Sequence, residues 1–310
     1  MTNKDCERVL TVGNFDGVHR GHCRLLNKVS DIASRTGAKS LAYTFSPSLA
    51  HNKNGTARSL IIPPQERINL LRGYVDEVHV ADFEDIKDLS PAQFVKSVLI
   101  EELNCCHVVV GEDWRFGKGG QGTPDHLRAL AGSLFEVHVM PPVLDNGRPI
   151  SSTRVRKAIQ KGKIKLVAKL LGRPPALHGE VVRGRGVGKI LEFPTANLTV
   201  DSRIILPKNG VYAAVTRLEN QSIPSALYIG DRPTFSGEDP VVEVHLLGGR
   251  SLNLYDRELT VHLKKYVRED RKFDDPSELK AAIERDICEI KAELGVSVAE
   301  GAEVQGVDGN

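Results

Sequence analysis

The chain has 310 residues, enough for two domains with separate cores. Its 42 Lys and Arg against 40 Asp and Glu leave a formal charge of +2, without the strongly basic face that duplex nucleic acid demands. Aromatic residues are only 5% of the total, which argues against a base-stacking platform. Five cysteines (6, 23, 105, 106 and 288), odd in number and without a CxxC pair, argue against a disulfide framework and against a zinc site. The start MTNKDCERVL has no apolar h-region, and no apolar run approaches the roughly 18 residues of a membrane span. A soluble cytoplasmic protein with neither nucleic acid nor membrane as partner is expected.

In chain order, Val9–Val12 reads as a buried strand followed by the loop Gly13–Gly21. Leu25, Leu26, Val29, Ile32 and Ala33 then recur at helical spacing until Gly37 stops the helix. KSLAYTF (39–45) is a second strand, PPQERINLLRGY a helix and VDEVHVADF a third strand. SPAQFVKSVLIEEL is a helix with Ser90 as N-cap and Pro91 at its first position. CCHVVVG has the continuous apolar run of a strand inside a parallel sheet, TPDHLRALAG is helical and FEVHVM is a fifth strand. This alternation to about residue 145 predicts a doubly wound α/β sheet, Rossmann-like in its order of elements.

SSTRVRKAIQKG and KIKLVAKLLG read as two short helices. Five strand-like runs broken by Gly, Pro and Asn follow between His178 and about Val267: GEVVRG, GVYAAVTRL, SALYIG, VVEVHLL and LTVHLKKYV. They predict an antiparallel sheet or barrel. A long helix capped by Asp275 and opened by Pro276 closes the fold, with Leu279, Ile283, Ile287, Ile290 and Leu294 along one face. The expected domains are 1–172 and 173–295, joined through GRPPAL, and the small polar tail 296–310 is expected to be disordered.

The stretch TVGNFDGVHRGH (11–22) places His19 and His22 three apart in a glycine-rich loop. A metal reading is weak, because the loop offers only Asp16 as a further ligand. An isolated HxxH is usually a turn with solvent-facing histidines. Here the loop lies between the first strand and a helix, at the carboxyl edge where such sheets bind ligands. A helix N-terminus with orphan N–H groups follows, and Gly13, Gly17 and Gly21 permit close backbone approach, which favours a nucleotide's phosphates.

GNFDGVHRGH resembles the HxGH signature of nucleotidylyltransferases, and ISSTRVR (150–156) resembles their second signature, ISSTxxR. With VVVGEDWRFGKGGQG (108–122) and HGEVVRGRGVGKILEFPTANL (178–198), the resemblance narrows to the bifunctional bacterial riboflavin kinase/FAD synthetase family and covers residues 9–295. It implies an N-terminal FMN adenylyltransferase domain and a C-terminal riboflavin kinase domain, with riboflavin, FMN and ATP as substrates and Mg²⁺ as cofactor.

By resemblance His19 and His22 hold the ATP phosphates, Arg156 pairs with the β- and γ-phosphates, and Ser152 and Thr153 offer donors at a helix start. Without that context SST is merely an N-cap. Arg154 and Arg156 cannot share a helix face, and the motif selects Arg156. Asp113 stands where the family has Asn or Asp near the nucleotide. Asn14 and Asp16 are placed with the nucleotide loop, although either residue also suits an Asx turn. In the second domain Thr195 and Asn197 of FPTANL are implied to hold Mg²⁺ and phosphates, Glu243 to act as base toward the riboflavin hydroxyl, and Arg268 to match an arginine of an R-x-x-x-x-F stretch ending at Phe273. Each has a plainer reading: PTAN a turn, Glu243 the solvated face of a strand, Arg268 a surface ion pair. GRGVGK (184–189) is no Walker A loop, since Arg183 and Ile190 break that pattern.

Three departures from the family pattern stand out. Lys189 replaces an arginine and Glu192 a glycine beside the implied magnesium site, where Glu192 would either hinder ATP or add a metal ligand. TFSPSLAHN, with Ser48 and Leu49, replaces T-F-x-P-H-P. Asp256 stands where glycine is common. They leave open a divergent paralogue with one activity weakened or redirected to a flavin analogue, or a non-catalytic flavin- or nucleotide-binding regulator.

Overall fold

The computed structural model describes residues 7–46, 59–183, 193–219, 221–231, 240–248 and 254–296. The chain divides into two compact units, one of residues 1–158, 167–173 and 203–205 and the other of 159–166, 174–202 and 206–310.

In the first unit β1 (Arg8–Val12), β2 (Lys39–Phe45), β3 (Glu77–Ala81), β4 (Cys105–Gly111) and β5 (Glu136–Met140) form one parallel sheet in the order β3-β2-β1-β4-β5. The central strand β1 is bordered by β2 and β4, and its Val9 and Leu10 are fully buried. Helix α1 (Arg20–Thr36) follows β1, burying Leu26, Val29, Ile32 and Ala33 and ending at Gly37 with φ +75°. Helices α2 (Pro64–Arg72), α3 (Phe83–Ile86), α4 (Pro91–Gln93) and α5 (Pro124–Ala131) provide crossovers. Ser90 and Gln93 complete a capping box at α4, which runs on as a π-helix over Phe94–Glu102. There the buried side chains Phe94, Leu99 and Leu103 are spaced by five and then four residues, so the wider turn keeps them on one core. A short hairpin, β6 (Leu144–Asp145) with β7 (Arg148–Pro149), precedes α6 (Ser152–Gln160) and α7 (Ile164–Leu171).

The second unit is a closed barrel of β8 (Ala176–Val182), β9 (Ala196–Val200), β10 (Gly210–Leu218), β11 (Gln221–Gly230), β12 (Val241–Leu246) and β13 (Glu258–Arg268). Their order around it is β10-β11-β12-β9-β8-β13. Sequence reading anticipated five of these strands; the sixth, β9, begins inside PTAN, which alone reads as a turn. Pro194 precedes the strand, and Asn197 pairs across to Glu243, so a weak strand former is held by its neighbours β8 and β12. Helix α8 (Pro276–Leu294), capped by Asp275, packs its apolar stripe on the barrel, with Ile290 fully buried and Ile287 and Leu294 beside it. Asp256 sits at φ +64°, a left-handed position that favours glycine and that aspartate tolerates, which accounts for that departure. Lys189, Glu192, Ser48, Leu49 and the tail from 297 lie outside the described residues.

Gly210 opens β10 at φ +144°, where a Cβ would stand 2.3 Å from the Arg268 carbonyl oxygen. Gly210→Ala is expected to destabilise the barrel by more than about 1 kcal/mol. Gly37→Ala meets no atom within 4 Å and incurs only the left-handed penalty of about 1–2 kcal/mol. Thermal unfolding followed by circular dichroism tests this; a Gly210→Ala melt superimposable on the parent would contradict it.

Candidate functional site

The loop between β1 and α1 turns at the carboxyl edge of the parallel sheet. Phe15 and Val18, both 1% exposed, adopt positive φ of 50° and 39°. Such strain in non-glycine residues persists only where the surroundings over-determine it. Here those surroundings claim every carbonyl from 14 to 18. Asn14 O accepts from Arg67 Nη1 at 3.0 Å, Phe15 O from Val18 N at 2.9 Å and Asp16 O from Ser152 Oγ at 2.9 Å. Gly17 O and Val18 O accept from the two terminal nitrogens of Arg173 at 2.8 and 3.0 Å. These five oxygens are thereby engaged by donors within the unit.

His19 caps α1: its Nδ1 accepts from His22 N at 3.3 Å, which leaves the ring proton on Nε2 in the neutral imidazole. The His19 and His22 rings stack with centroids 3.6 Å apart, and Phe15 meets His22 edge-on at 5.2 Å. Gly21 lies close under the His19 ring, where a Cβ would stand 3.1 Å from it and press on it. Gly13, whose N–H donates to Tyr43 O, lies against the Phe15 ring. Burial lowers His19 to about 4 and His22 well below its usual range, the latter helped by its neighbour His19. Nδ1 of His22 is shut off from solvent without a hydrogen-bond partner. Asp113, exposed beyond β4, is close enough to favour the charged form of His19.

Asp16 is the buried hub. Its carboxylate accepts from Ile61 N at 3.0 and 3.2 Å and pairs with Arg156. Burial raises its pKa against the opposing pull of Arg156. Arg156 also donates from Nε to Ser59 O at 2.8 Å. Arg154 faces elsewhere, pairing with the buried Asp145. Ser151, not Ser152, caps α6 through Arg154 N; the Ser152 hydroxyl ties the helix to the loop, and Thr153 is exposed on the first turn. The Asn14 side chain is exposed and its role here is through its carbonyl.

Arg67 and Arg173 escaped the sequence reading. Arg67, 5% exposed, also donates to Phe45 O at 2.6 Å, joining the loop to the end of β2. In the sequence Arg173 belongs to the linker stretch GRPPAL. Burial lowers the pKa of both, and nothing in their sequence context separates them from surface arginines.

In the barrel unit a cavity of about 330 Å³ is lined by Thr195, Tyr228, Glu243, Arg268 and Phe273, with Ile283 and Ile287 of α8 as apolar wall. Glu243 stands directly opposite Asn197 across the β9–β12 pair, which puts both side chains on one face. His245 Nδ1 meets Pro194 O at 2.8 Å and anchors the PTAN segment to β12. Arg268 grips Asp286 of α8 with Nε at 2.9 and 3.0 Å and Nη2 at 2.8 Å, a half-buried pair rather than a loose surface contact. Thr195, Asn197 and Glu243 are oxygen donors only, the set that suits a hard cation such as Mg²⁺.

The sequence profile of the FAD synthetase family matches residues 1–154, and that of the riboflavin kinase family residues 171–294. The bifunctional riboflavin kinase/FMN adenylyltransferase of Escherichia coli (strain K12) is 35% identical over 285 residues, 90% of each chain. That of Bacillus subtilis (strain 168) is 32% identical over 297 residues, 92% of each. A solved structure described as a macrolide-efflux protein from Streptococcus pneumoniae matches with TM-score 0.84 at 29% identity, covering 93% of this chain and 95% of that one. Among the described residues no helix is long and apolar enough to cross a membrane.

The neutral imidazoles give the first unit a signed pH response. An unfolded chain binds protons below pH 6.5 that folded His19 refuses down to about pH 4. The stabilisation is therefore full above 6.5 and falls with pH through that window, by about 1.4 kcal/mol per pH unit for each such imidazole. The raised carboxyl of Asp16 pulls the other way in the acid range. Trp114, the chain's single tryptophan, stacks on Phe116 in this unit and reports its unfolding. The urea midpoint by Trp114 fluorescence is expected to fall from pH 7 to pH 5, and to fall less in His19→Gln. A midpoint unchanged over that range would contradict the burial of neutral imidazoles.

Proposed function

Because the chain belongs to the bifunctional riboflavin kinase/FMN adenylyltransferase family, we propose how its two units divide the two ATP-dependent reactions. The barrel transfers the γ-phosphoryl group of ATP to the ribityl 5′-hydroxyl of riboflavin, giving FMN and ADP. The parallel-sheet unit transfers AMP from ATP to FMN, giving FAD and pyrophosphate. Both reactions take place in the cytoplasm.

The observation that carries the second assignment is the stacked His19–His22 pair at the start of α1, on a loop whose carbonyls from 14 to 18 are engaged. His19 offers its Nε2 proton to the triphosphate, and the first amides of α1 add the positive end of a helix dipole. Charge building on the α-phosphoryl oxygens and on leaving pyrophosphate meets fixed donors, and no covalent intermediate is needed. A guanidinium has five N–H donors. By pairing with Asp16, Arg156 fixes the plane in which it meets the β- and γ-phosphates. Ser152, Thr153, Gly13, Gly21, Asn14 and Asp113 border this site, and Asp16 serves it by positioning Arg156.

In the barrel the isoalloxazine ring of riboflavin takes the apolar wall of the cavity, and the ribityl chain reaches toward Glu243. Glu243 accepts the 5′-hydroxyl proton as the oxygen attacks. Thr195 and Asn197 would hold Mg²⁺, which would offset the charge of the ATP phosphates. Arg268, fixed by Asp286, lends positive charge at the cavity's edge, and Lys189 belongs to the phosphate side of the same reading.

His22→Ala is expected to lower FAD formation from FMN by about 10²–10³ while leaving riboflavin phosphorylation near the parental rate. Asn197→Ala should do the reverse and raise the magnesium requirement of the kinase reaction. Chromatographic assay of FMN and FAD from riboflavin, ATP and Mg²⁺ measures both. Equal loss of both activities in either variant, with circular dichroism unchanged, would contradict the division of labour.

A further inference from the structure

On the sheet of the first unit, His107 of β4 stands in register with Glu136 of the edge strand β5. His138, two residues along β5, shares the face of Glu136 because side chains alternate along a strand. His107 Nδ1 lies 3.1 Å from His138 Nε2. The Glu136 carboxylate straddles the pair, one oxygen 3.5 Å from His107 Nδ1 and the other 3.6 Å from His138 Nε2. With zinc bonds to nitrogen and oxygen of about 2.0–2.2 Å, ligand atoms of a tetrahedral shell stand roughly 3.3–3.6 Å apart. The two carboxylate gaps have that size, and the imidazole gap is a few tenths of an ångström shorter. Both imidazoles are half-buried and Glu136 is exposed, so a fourth position opens to water.

We propose that His107, Glu136 and His138 bind one zinc-class divalent cation that clips the edge strand β5 to β4. Imidazole donors select Zn²⁺, Co²⁺ or Ni²⁺ over Mg²⁺, so this ion differs from the one expected at the barrel. The cluster also lies toward the amino ends of the strands, about 13 Å of β4 below Gly111, whereas the HxGH loop is at the carboxyl edge. Lys28 and Arg35 of α1 bring positive charge toward His138. That weighs against an ion held by charge alone and leaves the coordination bonds to the imidazoles as the attraction.

The test uses the untagged full-length chain, stripped with a chelator and free of nucleotide and Mg²⁺, titrated with Co²⁺ and then Zn²⁺. One equivalent of Co²⁺ should bind with the intense visible absorption of a four-coordinate site, and Zn²⁺ should displace it. Zn²⁺ should raise the melting temperature by several degrees, since an ion that binds only the folded chain stabilises it. Glu136→Gln and His138→Gln, each retaining a polar side chain, should weaken binding at least tenfold and abolish the melting shift while circular dichroism stays parental. His22→Ala, which removes the other close imidazole pair, should leave the titration unchanged. No saturable equivalent, binding that survives both β5 variants, or binding lost in His22→Ala would overturn the proposal and leave the cluster a hydrogen-bonded His–His–Glu network.

Discussion

Asp16 is a carboxylate only 6% exposed to solvent, and alone it would cost several kcal/mol to bury. Arg156 and the Ile61 N–H offset that cost and thereby fix three segments relative to one another: the loop after β1, the first turns of α6 and the chain entering α2. Because the loop is pinned at Asp16, its strained neighbours Phe15 and Val18 can be held inside the core. Arg67 and Arg173 then reach the carbonyls on either side. The loop then leads into the His19 imidazole and the first N–H groups of α1. On the proposed reading, the anion site is made as much by engaging backbone oxygens as by gathering cations.

In the barrel the proposed flavin site rests on other means. A flat flavin needs an apolar slot beside a polar end, and on that proposal the slot is the part of the cavity lined by Ile283 and Ile287 of α8. The polar end comes from a cross-strand pair, Asn197 with Glu243, whose alignment is set by the register of β9 on β12. Arg268 and Asp286 link the end of β13 to α8, so the wall and the polar end are fixed to each other. The residues of each site are drawn from one unit only, which is why single substitutions are expected to separate the two activities.

Much of this was legible in the sequence where a feature is local. The strand–helix alternation, the glycine-rich loop before α1, the caps at Ser90 and Asp275 and the apolar stripe of α8 all depend on residues a few positions apart. What escaped depends on tertiary pairing. PTANL looks like a turn because Asn and Pro disfavour strands, and only the neighbours β8 and β12 make Ala196–Val200 extended. Arg67 sits in an amphipathic helix and Arg173 beside prolines, where an arginine normally faces water. Their burial follows from four carbonyls, those of Asn14, Gly17, Val18 and Phe45, that no spacing rule reveals. The alignment of His107 with Glu136 and His138 likewise exists only once β4 and β5 are in register.

The claim that one ion pair organises the adenylylation site is tested most directly by a double-mutant cycle. Asp16→Asn keeps an acceptor for Ile61 N, Arg156→Gln keeps a polar side chain, and unfolding of the first unit is followed by Trp114 fluorescence in urea. Each single variant should lose about 3 kcal/mol or more, because it removes one charge of a buried ion pair and leaves the other without it. The double variant should lose little more than either, giving a coupling energy of about 2–3 kcal/mol. Losses that simply add, with coupling near zero, would show that the loop is held without the pair and would contradict this account.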